Sequence, residues 1–125
     1  AIGGGGLVAG VGSALKALKP AIKVWGVEPE TAAPTARSLE MGSPQVFEGW
    51  QASFVDGAGG RSVFPRMWER MKAMRLLAEK SRVIAEGAGA LSVAAALTGK
   101  AGQGPIVAIV SGGNVDLKKF CELIG

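Results

Sequence analysis

Four consecutive glycines, Gly3-Gly4-Gly5-Gly6, run straight into Leu7-Val8-Ala9-Gly10, and this stretch constrains the chain more than any other. A backbone without Cβ atoms lets a ligand come close and reaches positive φ at little steric cost. Leu7, Val11, Leu15 and Leu18 recur at helical spacing, with Lys16 and Lys19 where cations suit the helix dipole. The spacing predicts a helix over residues 7–18, stopped by Pro20. A glycine loop feeding a helix start aims several N–H groups at one spot, which suits a phosphate. A linker or a plain strand-to-helix turn is the competing reading, but linkers carry serine and rarely lead into an apolar helix.

Composition narrows the function classes. The chain has 125 residues, 48% hydrophobic and 19% charged, which is a globular composition with length for one domain. Glycine is 20 of them, clustered between apolar runs where loops would approach a ligand. With no histidine, His-based acid/base chemistry, Ser-His-Asp triads and His metal sites fall away together. A single cysteine, Cys121, forbids an internal disulfide and points to a reducing, cytoplasmic setting. The net charge of +4 comes from scattered lysines and arginines without interleaved aromatics, so no nucleic-acid partner is expected. No apolar run has the length of a membrane span, and Ala1-Ile2 opens neither a signal nor a transit peptide, so no membrane association is expected.

Along the chain, residues 22–28 (Ile-Lys-Val-Trp-Gly-Val-Glu) read as a strand, and Pro34 opens a helix to about Met41 that Gly42 closes. Residues 42–61 are turn-rich, punctuated by Phe47, Trp50 and Phe54 and followed by Asp56-Gly57-Ala58-Gly59-Gly60. Pro65 opens a helical pattern through Met67, Met71, Met74 and Leu77, a methionine stripe read as core packing. Val83-Ile84-Ala85 is short and apolar. Glu86-Gly87-Ala88-Gly89-Ala90 is a second glycine turn before an alanine-rich helix over residues 91–97. Residues 106–110 (Ile-Val-Ala-Ile-Val) form the clearest strand pattern. Ser111-Gly112-Gly113-Asn114 is the third glycine turn, and a closing helix covers residues 116–124. Strands alternating with helices imply one α/β domain with a mostly parallel sheet flanked by helices, and glycine turns near the strand carboxyl ends, where such sheets bind ligands.

Two readings compete for the first loop. Gly4-x-Gly6-x-x-Ala9, with Glu28 ending the next strand as a ribose-binding acid, matches a loose NAD-binding fingerprint and leaves the other two glycine turns unexplained. The second reading uses all of them. Gly3-Gly4-Gly5-Gly6-Leu7 with Gly10, then Gly26-Val27-Glu28-Pro29, then Glu86-Gly87-Ala88-Gly89-Ala90, then Ser111-Gly112-Gly113-Asn114-Val115-Asp116 occur in the order of one family. Over nearly its whole length the chain resembles the C-terminal part of the large domain of fold-type-II pyridoxal-phosphate enzymes, especially threonine/serine dehydratases and serine racemase.

That resemblance implies a cofactor, pyridoxal 5'-phosphate, and roles for particular residues. Gly3, Gly4, Gly5, Gly6 and Leu7 would hold its phosphate through backbone N–H groups. Ser111, with Gly112 beside it, would meet the pyridine nitrogen as a neutral hydroxyl, and Glu86 would be the acidic residue near the cofactor. Asp56-Gly57 resembles the turn lining the substrate side. In some relatives Glu28 and the carbonyl of Ala32 bind a divalent cation with a later aspartate, whose place Pro34 takes here. The family's Schiff-base lysine lies in an N-terminal Ser-Phe-Lys-x-Arg-Gly motif that this chain lacks, so no catalytic residue is assigned and the chain alone is expected to be inactive. Relatives also carry a strand-containing segment between the helix at Pro65 and the one leading to Glu86, where Met67-Trp68-Glu69-Arg70 here runs directly into Met71-Lys72-Ala73-Met74. The implied protein is part of an L-threonine/L-serine ammonia-lyase acting on a small amino acid, as a homo-oligomer or completed by an N-terminal segment. A serine racemase-like fragment and a non-catalytic phosphate-ligand or NAD-binding domain are the alternatives.

Overall fold

A computed structural model describes residues 1–49 and 65–125. Contacts group the chain into two units, Ala1–Gln51 and Ala52–Gly125, each described by itself. The Asp56-Gly57 turn and the Trp50 and Phe54 positions lie outside the described residues.

In the first unit α1 spans Gly6–Leu18, one residue longer than the spacing predicts, because Gly5 adopts φ +86° and caps it from the left-handed region. Lys19 closes the helix, its N–H donating to the Leu15 carbonyl at 2.8 Å, and the Lys16 ammonium donates to the Pro20 carbonyl at 3.1 Å. Gly12 faces the 22–28 segment, where a Cβ would stand 3.6 Å from Val24 Cγ1. The Ile2 N–H donates to the Val27 carbonyl at 2.8 Å, and a Cβ on Gly26 would collide with the Ile2 side chain. Pro34 opens α2, Pro34–Met41, and Gly42 ends it at φ +67°, both as expected. The apolar stripe of α1 is not covered in this unit: none of its residues is buried, and Leu18 is 84% exposed.

The second unit packs helices around a small core. Helix α3, Pro65–Leu76, continues into a wide π-helical turn, Leu77–Ser81, which Arg82 ends at φ +57°. The Arg82 guanidinium closes that turn by donating to the carbonyls of Ala78 and Glu79. Helices α4, Leu91–Leu97, and α5, Leu117–Ile124, both pack on α3. The Asp116 carboxylate caps α5 by accepting from the Lys119 N–H at 2.9 Å. Ala73, Met74, Ala85, Ala90, Ala94 and Phe120 form the buried cluster, with Val110, Val115 and Leu123 partly buried against it. The methionine stripe is core packing at Met74, which is fully buried, and the alanines let the elements around it approach closely.

The mostly parallel sheet is the point of departure from expectation. Residues 22–28, 83–86 and 106–110 are non-helical, yet no β-ladder forms among the described residues. A strand exists only through a partner that repeats the hydrogen bond along its length. Here each segment makes isolated bonds instead, Ile2 N–H to Val27 and Glu86 N–H to Gly112. The sequence pattern of residues 106–110 is that of a strand covered on both faces, whereas Val107 is 89% exposed.

Truncating Met74 to alanine removes the one large side chain that is wholly enclosed among the described residues, and is expected to lower the stability of this unit by about 2–4 kcal/mol, read as a shift in the urea midpoint of the far-UV signal. A loss below about 1 kcal/mol contradicts that packing. The Glu79 carboxylate, hydrogen-bonded to Arg75 Nε at 2.8 Å, is held below its usual range by that bond and by the guanidinium charge. A depressed folded value means the contribution is present above the ordinary glutamate range and is lost as pH falls through the folded value. Helicity at residues 75–81 is therefore expected to decline on acidification, and Arg75→Gln to remove that acid limb. An unchanged acid limb in Arg75→Gln rules the pair out.

Candidate cofactor site

The glycine loop is shaped as the sequence suggests. Gly5 is left-handed and Gly6 begins a right-handed helix, the alternation that turns successive N–H groups toward one concavity and suits an anion. Gly6 and Leu7 lie in the first turn, where a helix has no carbonyl to offer their N–H groups. Among the described residues no backbone carbonyl accepts from Gly3, Gly4, Gly5, Gly6 or Leu7. A Cβ built on any of Gly3 to Gly6 would meet nothing within 4 Å, so intramolecular packing gives no reason for these glycines other than the turn at Gly5. Free donors, open space and a positive dipole end fit a phosphate ester.

The second and third glycine turns meet each other. The Glu86 N–H donates to the Gly112 carbonyl at 3.1 Å. A Cβ on Gly89 would strike the Gly112 carbonyl oxygen and stand 3.0 Å from its nitrogen. A Cβ on Gly112 would strike the Glu86 carboxylate, and one on Gly113 would stand 2.5 Å from the Ile84 carbonyl oxygen. The structure thus brings Glu86, Ser111 and Gly112 together in one place, with main chain packed on main chain. Ser111 is exposed, and its hydroxyl has no hydrogen-bond partner among the described residues, which leaves it free to meet a heterocyclic nitrogen. The five residues of the first loop belong to the other unit.

Glu28 has an occupation that the spacing did not reveal. Its Oε1 accepts from the Thr35 N–H at 2.9 Å and its Oε2 from the Ala36 N–H at 2.8 Å, so one carboxylate caps the first turn of α2. The Ala32 N–H donates to the Pro29 carbonyl at 2.8 Å, and the buried Thr31 hydroxyl beside it has no partner. Among the described residues no three Asp, Glu or Cys side chains gather as a metal site. The missed signal was available: an acid ending one segment and a Pro-initiated helix six residues on, with no side-chain cap of its own. Ser92 was also missed. Its hydroxyl donates to the Ile109 carbonyl at 2.7 Å, two residues before Ser111.

Comparison with known proteins assigns a class to these loops. Residues 1–112 match the family described as pyridoxal-phosphate dependent enzyme, and the chain belongs to that family. More particularly, it is similar to the L-threonine ammonia-lyase of Thermotoga maritima, 35% identical with 98% of this chain and 35% of that protein covered. It is similar too to the catabolic L-threonine dehydratase TdcB of Escherichia coli K12, 33% identical over 99% of this chain and 44% of the relative. The crystal structure of the T.th. threonine deaminase superposes with a TM-score of 0.76 at 36% identity, covering 92% of this chain and 48% of that one. The chain therefore spans between a third and a half of the length of these relatives. The alignments run over 140 and 144 positions against a chain of 125 residues, so the matched stretch of each relative includes residues without a counterpart here. No helix among the described residues is long and apolar enough to cross a membrane.

Replacing Glu28 with alanine withdraws the cap from two N–H groups and is expected to destabilise α2 by about 1–2 kcal/mol. Faster amide exchange at Thr35 and Ala36 would report it, whereas Glu28→Gln, which keeps one acceptor, should fall between. Unchanged exchange in the alanine variant contradicts the cap.

Proposed function

We propose that this chain is the cofactor-holding part of a pyridoxal-phosphate-dependent ammonia-lyase that removes water and then ammonia from L-threonine or L-serine. The observation carrying the reading is the Gly5-centred turn, whose N–H groups meet no backbone carbonyl among the described residues, within the stretch that matches the family. The names of the relatives support the substrate class. The isolated chain, without the family's lysine motif, is inactive, and activity belongs to an assembly with an N-terminal segment or to an oligomer working in the cytoplasm. The 125 residues belong to one larger α/β domain with a mostly parallel sheet, whose ladders would form once the three extended segments gain partners.

In this reading the amides of Gly3, Gly4, Gly5, Gly6 and Leu7 bind the phosphate dianion and hold it in place. The Ser111 hydroxyl donates to the pyridine nitrogen, and as a neutral group it leaves that nitrogen unprotonated. Glu86, pressed against Gly112, sets the negative potential on that side and holds the turn. Pyridoxal phosphate, when bound, supplies the ring that withdraws electrons from the substrate α-carbon. The net reaction eliminates the β-hydroxyl as water and, by hydrolysis, releases ammonia and a 2-oxo acid. The same residues suit a serine racemase, and the substrate outcome separates the two. A divalent cation at Glu28 and the Ala32 carbonyl would have to compete with two N–H groups for the carboxylate. The same engagement weighs against an NAD-binding domain, which needs Glu28 for a ribose.

Two measurements test this. The chain co-produced with a segment bearing the Ser-Phe-Lys-x-Arg-Gly motif should form 2-oxobutanoate from threonine or pyruvate from serine. Stable association without turnover would favour a binding module instead. Gly5→Ala, which forces a side chain into the left-handed region at a cost of about 1–2 kcal/mol, should weaken pyridoxal 5'-phosphate about tenfold with little effect on pyridoxal. Equal effects on both ligands contradict phosphate binding at this loop.

A further inference from the structure

Ser111 is suspended between two pinned peptide groups. On its N-terminal side the Ile109 carbonyl accepts from the Ser92 hydroxyl at 2.7 Å, a good length for O–H···O. On its C-terminal side the Gly112 carbonyl accepts from the Glu86 N–H at 3.1 Å. Both donors come from one short piece of chain. Residues 86–92 are tied internally by Ala90 N–H to Glu86 at 2.9 Å and Leu91 N–H to Ala88 at 3.3 Å. That piece is in turn fixed by Leu91 and Ala94, which are buried. Between the two pins, Val110 packs on the core and Ser111 faces outward. No ladder holds residues 106–110 in place, so the Ser92 bond is the sole side-chain tie on this segment among the described residues. A peptide is planar, so holding the Ile109 carbonyl fixes the 109–110 plane and leaves only the dihedrals of Val110 and the plane beyond before Ser111.

We propose that Ser92 is a positioning residue for the Ser111 hydroxyl: through the Ile109 carbonyl it sets where that hydroxyl stands, and so how well the site recognises the nitrogen of a pyridine ring. The assignment rests on the reading that Ser111 meets the ring nitrogen. Ser92 itself touches no cofactor or substrate. It is a serine in the second position of α4, where a hydroxyl has no helix carbonyl behind it to bond, and it turns to a neighbouring segment instead.

The test is the affinity of the full chain for pyridoxal 5'-phosphate against the analogue carrying C–H in place of the ring nitrogen, both measured by fluorescence titration. The unsubstituted chain should prefer the natural vitamer by about tenfold, the value of one hydrogen bond to a heterocycle nitrogen. Ser111→Ala should abolish that preference. Ser92→Ala should reduce it to about twofold while leaving affinity for the analogue unchanged, Ser92→Thr should restore it, and the double variant should match Ser111→Ala alone. A purely structural role would weaken both ligands alike, and that outcome overturns the proposal. If Ser111→Ala abolishes the preference and Ser92→Ala keeps it in full, Ser92 does not position the hydroxyl and the cofactor reading stands. If the unsubstituted chain shows no preference, or binds neither ligand, the Ser111 reading fails and this assignment with it. Loss of fold in Ser92→Ala, seen by circular dichroism, leaves Ser92→Thr to decide, since a threonine that folds and shows no preference also overturns it.

Discussion

Main-chain atoms in direct contact hold the second unit's candidate site together. Gly89 lies on Gly112, Gly113 lies beside the Ile84 carbonyl, and the Glu86 N–H reaches the Gly112 carbonyl. Two turns far apart in sequence can interlock this way only if neither carries a side chain at the contact. That contact sets the Glu86 carboxylate close to Gly112, beside the exposed Ser111. The helices α3, α4 and α5 supply the platform, and their alanines serve the same end, since small residues let neighbouring elements come close enough to exclude water.

The proposed anion site in the first unit uses the opposite condition. There the glycines face open space, and no neighbour requires their smallness. Only Gly5 is conformationally obliged, by its left-handed cap. Crowded glycines at the second and third turns and uncrowded glycines at the first loop are thus two uses of one residue. The first allows backbone to meet backbone. The second leaves open space beside the loop.

Much of the fold was legible in the sequence because local signals agreed. Pro34 and Gly42 bracket α2, Asp116 caps α5, and Met74 carries the buried face of α3. Strand pairing was not legible, because a run such as residues 106–110 records that a strand would be well covered but not which neighbour covers it. For the site, the order of the three glycine turns pointed to the family that the matches establish. The engagement of Glu28 and the tie from Ser92 escaped, since a side chain bonding to main chain seven or seventeen residues away leaves no periodic trace. Arg82 in the left-handed region escaped for a related reason: its strain is offset by carbonyl contacts that sequence does not display.

The carboxylate of Glu28 closes residues 28–36 into a ring, one link of which is a side chain rather than a peptide. Rings of this kind respond asymmetrically to changes in circumference. An extra residue among 30–33 enlarges the ring at little entropic cost, and the carboxylate still reaches the helix. Exchanging glutamate for the shorter aspartate draws the carboxylate back from the Thr35 and Ala36 N–H groups. Natural variation in this part of the chain should accordingly tolerate an added residue more readily than a shortened acid.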